Sequence, residues 1–91
     1  MRFALIAKDK AGALEVRKAN REAHVAYLKG SGASVEMAGP FLDDNGDMCG
    51  SLIILEFDDK AAADAWAAED PYKHADLFES VEIIAWNKVI G

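Results

Sequence analysis

The sequence has few of the features that mark disulfide-bonded, membrane-spanning or secreted proteins. It contains one cysteine, Cys49, which cannot form an internal disulfide and which we interpret as an ordinary strand residue. No apolar run approaches the ~18 residues of a membrane span. The apolar stretch near the N-terminus is too short for a secretory signal. These absences predict a cytoplasmic protein with no membrane partner.

Positive charge is also scarce. The chain has 10 Lys and Arg residues against 16 Asp and Glu residues, which gives a formal net charge of −6. Because nucleic acids and anionic membranes are bound by basic surfaces, this balance argues against either partner. A local group of arginines can still be positive within an acidic protein, so an anionic small molecule is not excluded.

Sequence motifs for cofactors and metals are absent as well. The chain has no glycine-rich loop for a dinucleotide or a phosphate and no Cys/His spacing for zinc. Its two histidines, His24 and His74, lie far apart in the chain and have no obvious third ligand beside them. We therefore predict no structural metal and no cofactor.

The chain does have a regular succession of apolar segments separated by turn residues. Its 52% hydrophobic content is sufficient for a single folded domain over residues 1–91. The patterns predict strands at 2–8, 33–41, 50–58 and 79–90, helices at 13–29 and 60–70, and turns at 43–47 and 71–77. The order β-α-β-β-α-β predicts an α+β fold, the ferredoxin-like plait, in which one antiparallel sheet carries both helices on one face.

The predicted strands are apolar on both faces. Within 50–58, for example, Ile53 points to one face and Ile54 to the other. Helices can cover only one face, and an exposed apolar sheet is a site of interaction or aggregation. We therefore predict a homodimer in which two sheets pack face to face. A monomer with a partly exposed face and a complex with a different protein are the alternatives.

His24 and Asp70 are the leading candidates for chemistry. Imidazole takes up and releases a proton near neutral pH, but it needs an acceptor that orients it. Asp70 follows the second helix, where in this fold a carboxylate could reach an imidazole on the first helix and fix its tautomer. The alternatives are a surface or core histidine and an aspartate that only caps the turn at Pro71.

Two arginines and a serine are candidate ligand-binding residues. On a helix, Arg17, Arg21 and His24 lie along one side, and Leu14 and Leu28 lie close to that side. The arginines could bind a carboxylate or phenolate in bidentate fashion, and the alternative is a solvated flank paired with acidic residues. Ser51 opens the third strand and is either a hydrogen-bond donor into a cleft or a plain strand residue.

Five short segments occur in a specific order along the chain. They are R-x3-R-x2-H-x2-Y-L at 17–28, Gly39-Pro40, Gly50-Ser51, W-x3-D-P-Y at 66–72 and V-E-I-x2-W at 81–86. Together they resemble the YCII-related (YciI-like) family over nearly the whole chain. The resemblance implies a ferredoxin-like domain that dimerises through its sheet, with clefts near the dimer interface. It also implies a fold similar to muconolactone isomerase and to cofactor-free monooxygenases of the dimeric α/β-barrel type.

The resemblance also implies an active site. The family's proposed His–Asp pair corresponds here to His24 and Asp70. Its arginines correspond to Arg17 and Arg21, and its strand-opening serine corresponds to Ser51. One relative is a dehydrochlorinase that acts on a chlorinated hydroxyquinol without a cofactor. We therefore expect cofactor-free lyase, dehydrochlorinase or isomerase-like acid–base chemistry on a small anionic or ring compound. The alternatives are a non-catalytic dimer that binds a small molecule and a structural dimer in which the His–Asp pair is a strut.

Overall fold

A computed structural model describes all 91 residues. The elements are β1 (Arg2–Asp9), α1 (Leu14–Gly30), β2 (Val35–Leu42), β3 (Met48–Glu56), α2 (Lys60–Ala68), α3 (Pro71–His74) and β4 (Phe78–Ala85). This order confirms the predicted β-α-β-β-α-β plait and adds one short helix within the predicted turn at 71–77. None of the helices combines the length and the hydropathy needed to cross a membrane.

The four strands form one antiparallel sheet in the order β2-β3-β1-β4. On the central strand, Leu5 lies opposite Ile53 of β3 and Ile83 of β4. Because paired residues point to the same face, the odd-numbered residues of these three strands share one side of the sheet. Helices α1 and α2 pack on that side, and the buried core consists of Phe3, Leu5, Ala7, Ile53, Leu55, Ala63 and Trp66.

The last strand is shorter than predicted. We predicted a strand to residue 90, but β4 ends at Ala85. Its neighbour β1 begins at Arg2, whose carbonyl accepts the backbone N–H of Trp86. The chain beyond that bond has no further strand beside it, so residues 86–91 leave the sheet.

Other boundaries shift by one or two residues for local reasons. The second strand begins at Val35 because a 3₁₀ turn occupies Gly32–Ser34. The third strand begins at Met48, which pairs with Leu42 across the turn, and it ends before residue 58. The second helix stops at Ala68, since Asp70 is already the N-cap of the next helix, which begins at Pro71.

The face of the sheet opposite the helices carries no covering element, and we call it the open face. Its apolar side chains are Ala4, Ile6, Met37, Phe41, Leu52, Ile54 and Ile84. Four of them, Met37, Phe41, Leu52 and Ile84, are exposed. The sheet is therefore apolar on both faces, as the alternation of residues in the strands predicts, and only one face is covered.

Candidate functional site

A cleft lies on the helix side of the sheet, between α1 and the edge strand β2. Its empty space is about 430 Å³, including solvent at the mouth. One wall is formed by α1, and the opposite wall is the Ala38-Gly39-Pro40 segment of β2, with Ser51 and Ile53 of β3 between them. Of the sequence-predicted site residues, Arg17, Arg21, His24 and Ser51 line this cleft.

The fifth predicted site residue, Asp70, lies behind His24. The Nδ1 atom of His24 is 2.8 Å from Oδ1 of Asp70, and both side chains are buried. Asp70 is also the N-cap of α3, where the same oxygen accepts the backbone N–H of Tyr72 at 2.9 Å. Capping and pairing were alternatives in the sequence, and the structure shows one carboxylate that does both.

The second ring nitrogen of His24 is free. An ionised Asp70 can only accept, so the hydrogen of a neutral ring lies on Nδ1 and Nε2 is the unprotonated nitrogen. Nε2 has no hydrogen-bond partner within the protein. Every buried side-chain nitrogen and oxygen has such a partner, so Nε2 is not a buried atom. Nε2 is therefore in contact with solvent in the cleft, where it can exchange a proton with a ligand.

Arg17 is held by a carboxylate that the sequence analysis missed. Its Nε and Nη2 atoms donate to the two oxygens of Asp9 at 2.6 and 2.9 Å, and Nη2 also donates to Oγ of Ser51 at 2.9 Å. Burial acts to lower the pKa of Arg17, but the hydrogen bonds and charge of Asp9 outweigh it and the pKa is raised. Arg17 is thus a cation whose charge is already balanced inside the protein.

Arg21 differs from Arg17 in its exposure and in its lack of a carboxylate partner. It lies one helical turn further along α1, lines the cleft, and is exposed. No carboxylate oxygen lies within 4.0 Å of its guanidinium, in contrast to the paired Arg17. Arg21 is therefore the cation in this cleft whose charge is available to an incoming anion.

Tyr72 completes the site. Its ring stacks on the imidazole of His24, with centroids 3.8 Å apart and planes inclined by 13°, and the Cζ atom of Arg17 is 4.6 Å from its centroid. Burial raises the pKa of Tyr72, although Arg17 and Arg21 oppose the shift. In the sequence this tyrosine was only part of the W-x3-D-P-Y motif. The signal for a site role was its position two residues after Asp70.

The His, Cys, Asp and Glu side chains outside the cleft do not form a second candidate site. No set of three or more His, Cys, Asp or Glu side chains is placed to hold a metal ion. His74 is exposed, with Nε2 3.7 Å from Glu69. Cys49 is also exposed, and its Sγ atom is 3.6 Å from the carbonyl oxygen of Phe41.

Known proteins similar to this chain fall into two groups, by sequence and by structure. Protein YciI of Escherichia coli is 37% identical over an alignment that covers 98% of this chain and 99% of YciI. An uncharacterized protein of Haemophilus influenzae is 36% identical over the same shares of the two chains.

A solved structure with both a high TM-score and high coverage is that of 5-chloro-2-hydroxyhydroquinone dehydrochlorinase (TftG) from Burkholderia phenoliruptrix AC1100, in complex with 2,5-dihydroxybenzoquinone. It has a TM-score of 0.88 and 34% sequence identity, over 96% of this chain and 94% of TftG. An antibiotic biosynthesis monooxygenase matches with a TM-score of 0.60 over 98% of both chains, but at 15% identity it shows the fold alone.

The family model for the YCII-related domain matches residues 1–87, which is nearly the whole chain. The full-length identity to YciI agrees with this match. The chain therefore belongs to the YCII-related domain family.

Proposed function

We propose that this protein is a cofactor-free enzyme that carries out acid–base chemistry, of a lyase, dehydrochlorinase or isomerase type, on a small anionic ring compound. The observation that carries the proposal is the buried pair of His24 and Asp70, whose free Nε2 atom faces a cleft that also holds the uncompensated Arg21. A base, an orienting carboxylate and a cation for developing negative charge are the groups that such chemistry needs.

The proposed step is a proton transfer to Nε2 of His24. The nitrogen takes a proton from an acidic C–H or O–H group of the ligand, and the bonding electron pair stays on the ligand. Asp70 stabilises the imidazolium that forms, and Arg21 stabilises the negative charge on a ligand oxygen. The electron pair then either accepts the proton back at another carbon, which is an isomerisation, or expels a leaving group such as halide, which is an elimination.

The composition of the cleft supports a ring compound as the ligand. Val25, Leu28 and Ile53 supply apolar surface, and the few polar groups converge from α1, β3 and α3. Most small-molecule sites combine an apolar lining with a few placed polar groups. TftG, the structural neighbour at 34% identity, binds 2,5-dihydroxybenzoquinone, which is a small ring with acidic hydroxyls.

Arg17 and Ser51 have a supporting part in this proposal. The sequence predicts both as substrate-binding residues, but Nε and Nη2 of Arg17 are occupied by Asp9 and Ser51. The guanidinium of Arg17 is 2% exposed and packs on Tyr72, so little of it is open to a ligand. We therefore assign the main anion contact to Arg21 and expect Arg17 and Ser51 to set the shape of the cleft floor.

The chemistry can be tested with 5-chloro-2-hydroxyhydroquinone as substrate and chloride release as the readout. The His24→Ala variant should lose about 10²–10⁴-fold in kcat, the usual contribution of a positioned acid–base group. The His74→Ala variant is the matched control, because that exposed histidine lies outside the cleft, and its kcat should equal that of the wild type.

Two results would count against the catalytic proposal. Full activity of His24→Ala would show that the imidazole is not the base. Binding of 2,5-dihydroxybenzoquinone by the wild type without any turnover would favour the alternative, a non-catalytic small-molecule-binding dimer. In that case Arg21→Ala should weaken quinone binding while His24→Gln leaves it unchanged.

We also propose that a second copy of this chain covers the open face. Four large apolar side chains are exposed there in one continuous sheet surface, and the solved relatives of this fold are of the dimeric α/β-barrel type. Sheet-on-sheet packing would bury them against their counterparts in the partner. We expect no nucleic-acid or membrane partner, given the acidic charge balance.

The dimer can be tested by light scattering of the protein at micromolar concentration. The wild type should have the mass of two chains, and Leu52→Glu combined with Ile84→Glu should have the mass of one, because four buried carboxylates would face one another. Ala61→Glu, at an exposed position of α2, is the control and should stay dimeric. A monomeric wild type would contradict the proposal.

A further inference from the structure

The hydrogen bond between His24 and Asp70 does not by itself aim the catalytic nitrogen. The imidazole can still turn about its own Cβ–Cγ bond, which takes Nδ1 away from the carboxylate oxygen. Such a rotation would break the bond to Asp70, free the tautomer and move Nε2 within the cleft. Something else must hold the plane of the ring for proton transfer in one direction.

The ring of Tyr72 supplies that restraint. It lies nearly parallel to the imidazole at 3.8 Å, so the imidazole cannot turn about its Cβ–Cγ bond without striking it. Its own position is fixed on two sides. Its backbone N–H donates to Asp70, the same carboxylate that His24 contacts, and Phe78 packs edge-on against it with centroids 6.0 Å apart.

The same ring also contacts the buried cation of the cleft. The guanidinium of Arg17 lies over it at 4.6 Å, a cation–π distance. Arg17 and His24 are seven residues apart on α1, about 10 Å along the helix axis. A side chain that contacts both therefore bridges two turns of the helix and ties their polar groups together.

The hydroxyl of Tyr72 is placed for a different contact. The residue is 1% exposed, and its hydroxyl donates to no acceptor within the protein. Arg17 can only donate, and its hydrogen bond to the phenol oxygen acts to lower the pKa of Tyr72. The hydrogen of the hydroxyl is therefore left for a ligand, and the residue lines the cleft. Burial raises the pKa of the phenol, which keeps it protonated and able to donate near neutral pH.

We infer that Tyr72 has two parts in this site: its ring is the positioning element that fixes the plane of His24, and its hydroxyl donates a hydrogen bond to an oxygen of the bound anion. The hydroxyl role rests on the proposed function, because it needs a ligand in the cleft. The ring role does not, because it concerns the protein without a ligand.

Two variants separate these roles. Tyr72→Phe keeps the stacked ring and removes the hydroxyl, whereas Tyr72→Leu removes both. The first measurement is the ¹⁵N NMR spectrum of the neutral His24 ring in the unliganded protein, which reports the tautomer. The wild type and Tyr72→Phe should show one tautomer with the hydrogen on Nδ1. Tyr72→Leu should show shifts averaged between the two tautomers.

The second measurement is the Kd for 2,5-dihydroxybenzoquinone. Tyr72→Phe should weaken binding by about five- to twentyfold, the usual loss for one hydrogen bond to a charged or polar ligand. Tyr27→Phe is the control for the loss of a hydroxyl. Its oxygen donates to the carbonyl of Trp66 on α2, and Tyr27 does not line the cleft.

The outcomes are distinct. A wild-type His24 spectrum in Tyr72→Leu would overturn the positioning role, and wild-type affinity in Tyr72→Phe would overturn the hydroxyl role. Failure of the wild type to bind the quinone would overturn the hydroxyl role and the proposed ring-compound ligand together, while the spectra still decide the positioning role. If Tyr72→Leu does not fold, Phe78→Leu loosens the same ring from behind, and an unchanged His24 spectrum there would overturn the positioning role.

Discussion

The two ends of β1 each carry an arginine–carboxylate pair with the same 2.6 Å separation. At the start of the strand, Nε of Arg2 donates to Glu36, with 38% and 26% of the two side chains exposed. At its end, Asp9 accepts from Nε of Arg17, with only 5% and 2% exposed. The distances alone would rank the two pairs as equal, but their surroundings differ.

The two pairs differ in whether water can solvate their charges once the pair is broken. Water can solvate Arg2 or Glu36 directly, so that loss of the partner leaves neither charge stranded. Arg17 has no such access along most of its guanidinium, and it also donates to Ser51 and packs on Tyr72. A buried ion pair seldom stabilises a fold more than apolar residues would. The position of the Arg17–Asp9 pair beside the cleft therefore agrees with a role in shaping the proposed ligand site.

The largest expected effect comes from breaking the buried pair. Asp9→Ala leaves the Arg17 charge uncompensated inside the protein, and we expect the free energy of unfolding to fall by about 3–5 kcal/mol. Urea unfolding followed by circular dichroism measures the change. Adding Arg17→Met to Asp9→Ala removes the stranded charge and should restore most of the loss. A single variant as stable as the wild type would show that water reaches Arg17 freely.

The sequence predicted the fold better than it predicted this pair. Alternation in the strands and the helical spacing around Arg17 and His24 are local signals, and they were sufficient for the order of elements. Asp9 follows the strand predicted at 2–8 and was not among the candidate residues, because its contact with Arg17 depends on how α1 crosses the sheet. Tyr72 was missed for the same reason: its stacking on His24 is set by the packing of α3 against α1.

An intermediate effect is expected for Ser51→Ala. This change removes one acceptor from Nη2 of Arg17, but that nitrogen keeps its bond to Asp9 at 2.9 Å. We expect a loss of about 1 kcal/mol, the usual net value of one hydrogen bond. Ser80→Ala, at an exposed position of β4, is the control in the same urea assay. A loss as large as that of Asp9→Ala would mean that Ser51 is essential for holding the guanidinium.

The smallest effect is expected at the exposed end of β1, and it should depend on pH. The hydrogen bond from Arg2, with the charges of Arg2 and Lys88, lowers the pKa of Glu36 below its ordinary value of 4.5, although burial opposes the shift. A lowered pKa in the folded state means that the unfolded state binds the proton more readily. The stabilisation from this pair is therefore present above about pH 4.5 and is lost as the pH falls through the lower, folded-state value.

The pH dependence can be measured as the difference in urea midpoint between the wild type and Glu36→Gln. The difference should be small at pH 7, should shrink as the pH falls below 4.5, and should shrink at pH 7 when 1 M NaCl screens the charges. Arg2→Met is the matched control, because without the arginine the midpoint should respond less to pH in this range. A midpoint difference at pH 7 as large as that of Asp9→Ala, or one insensitive to salt, would show that the two ends of β1 are alike after all. Burial would then not be what separates the two pairs.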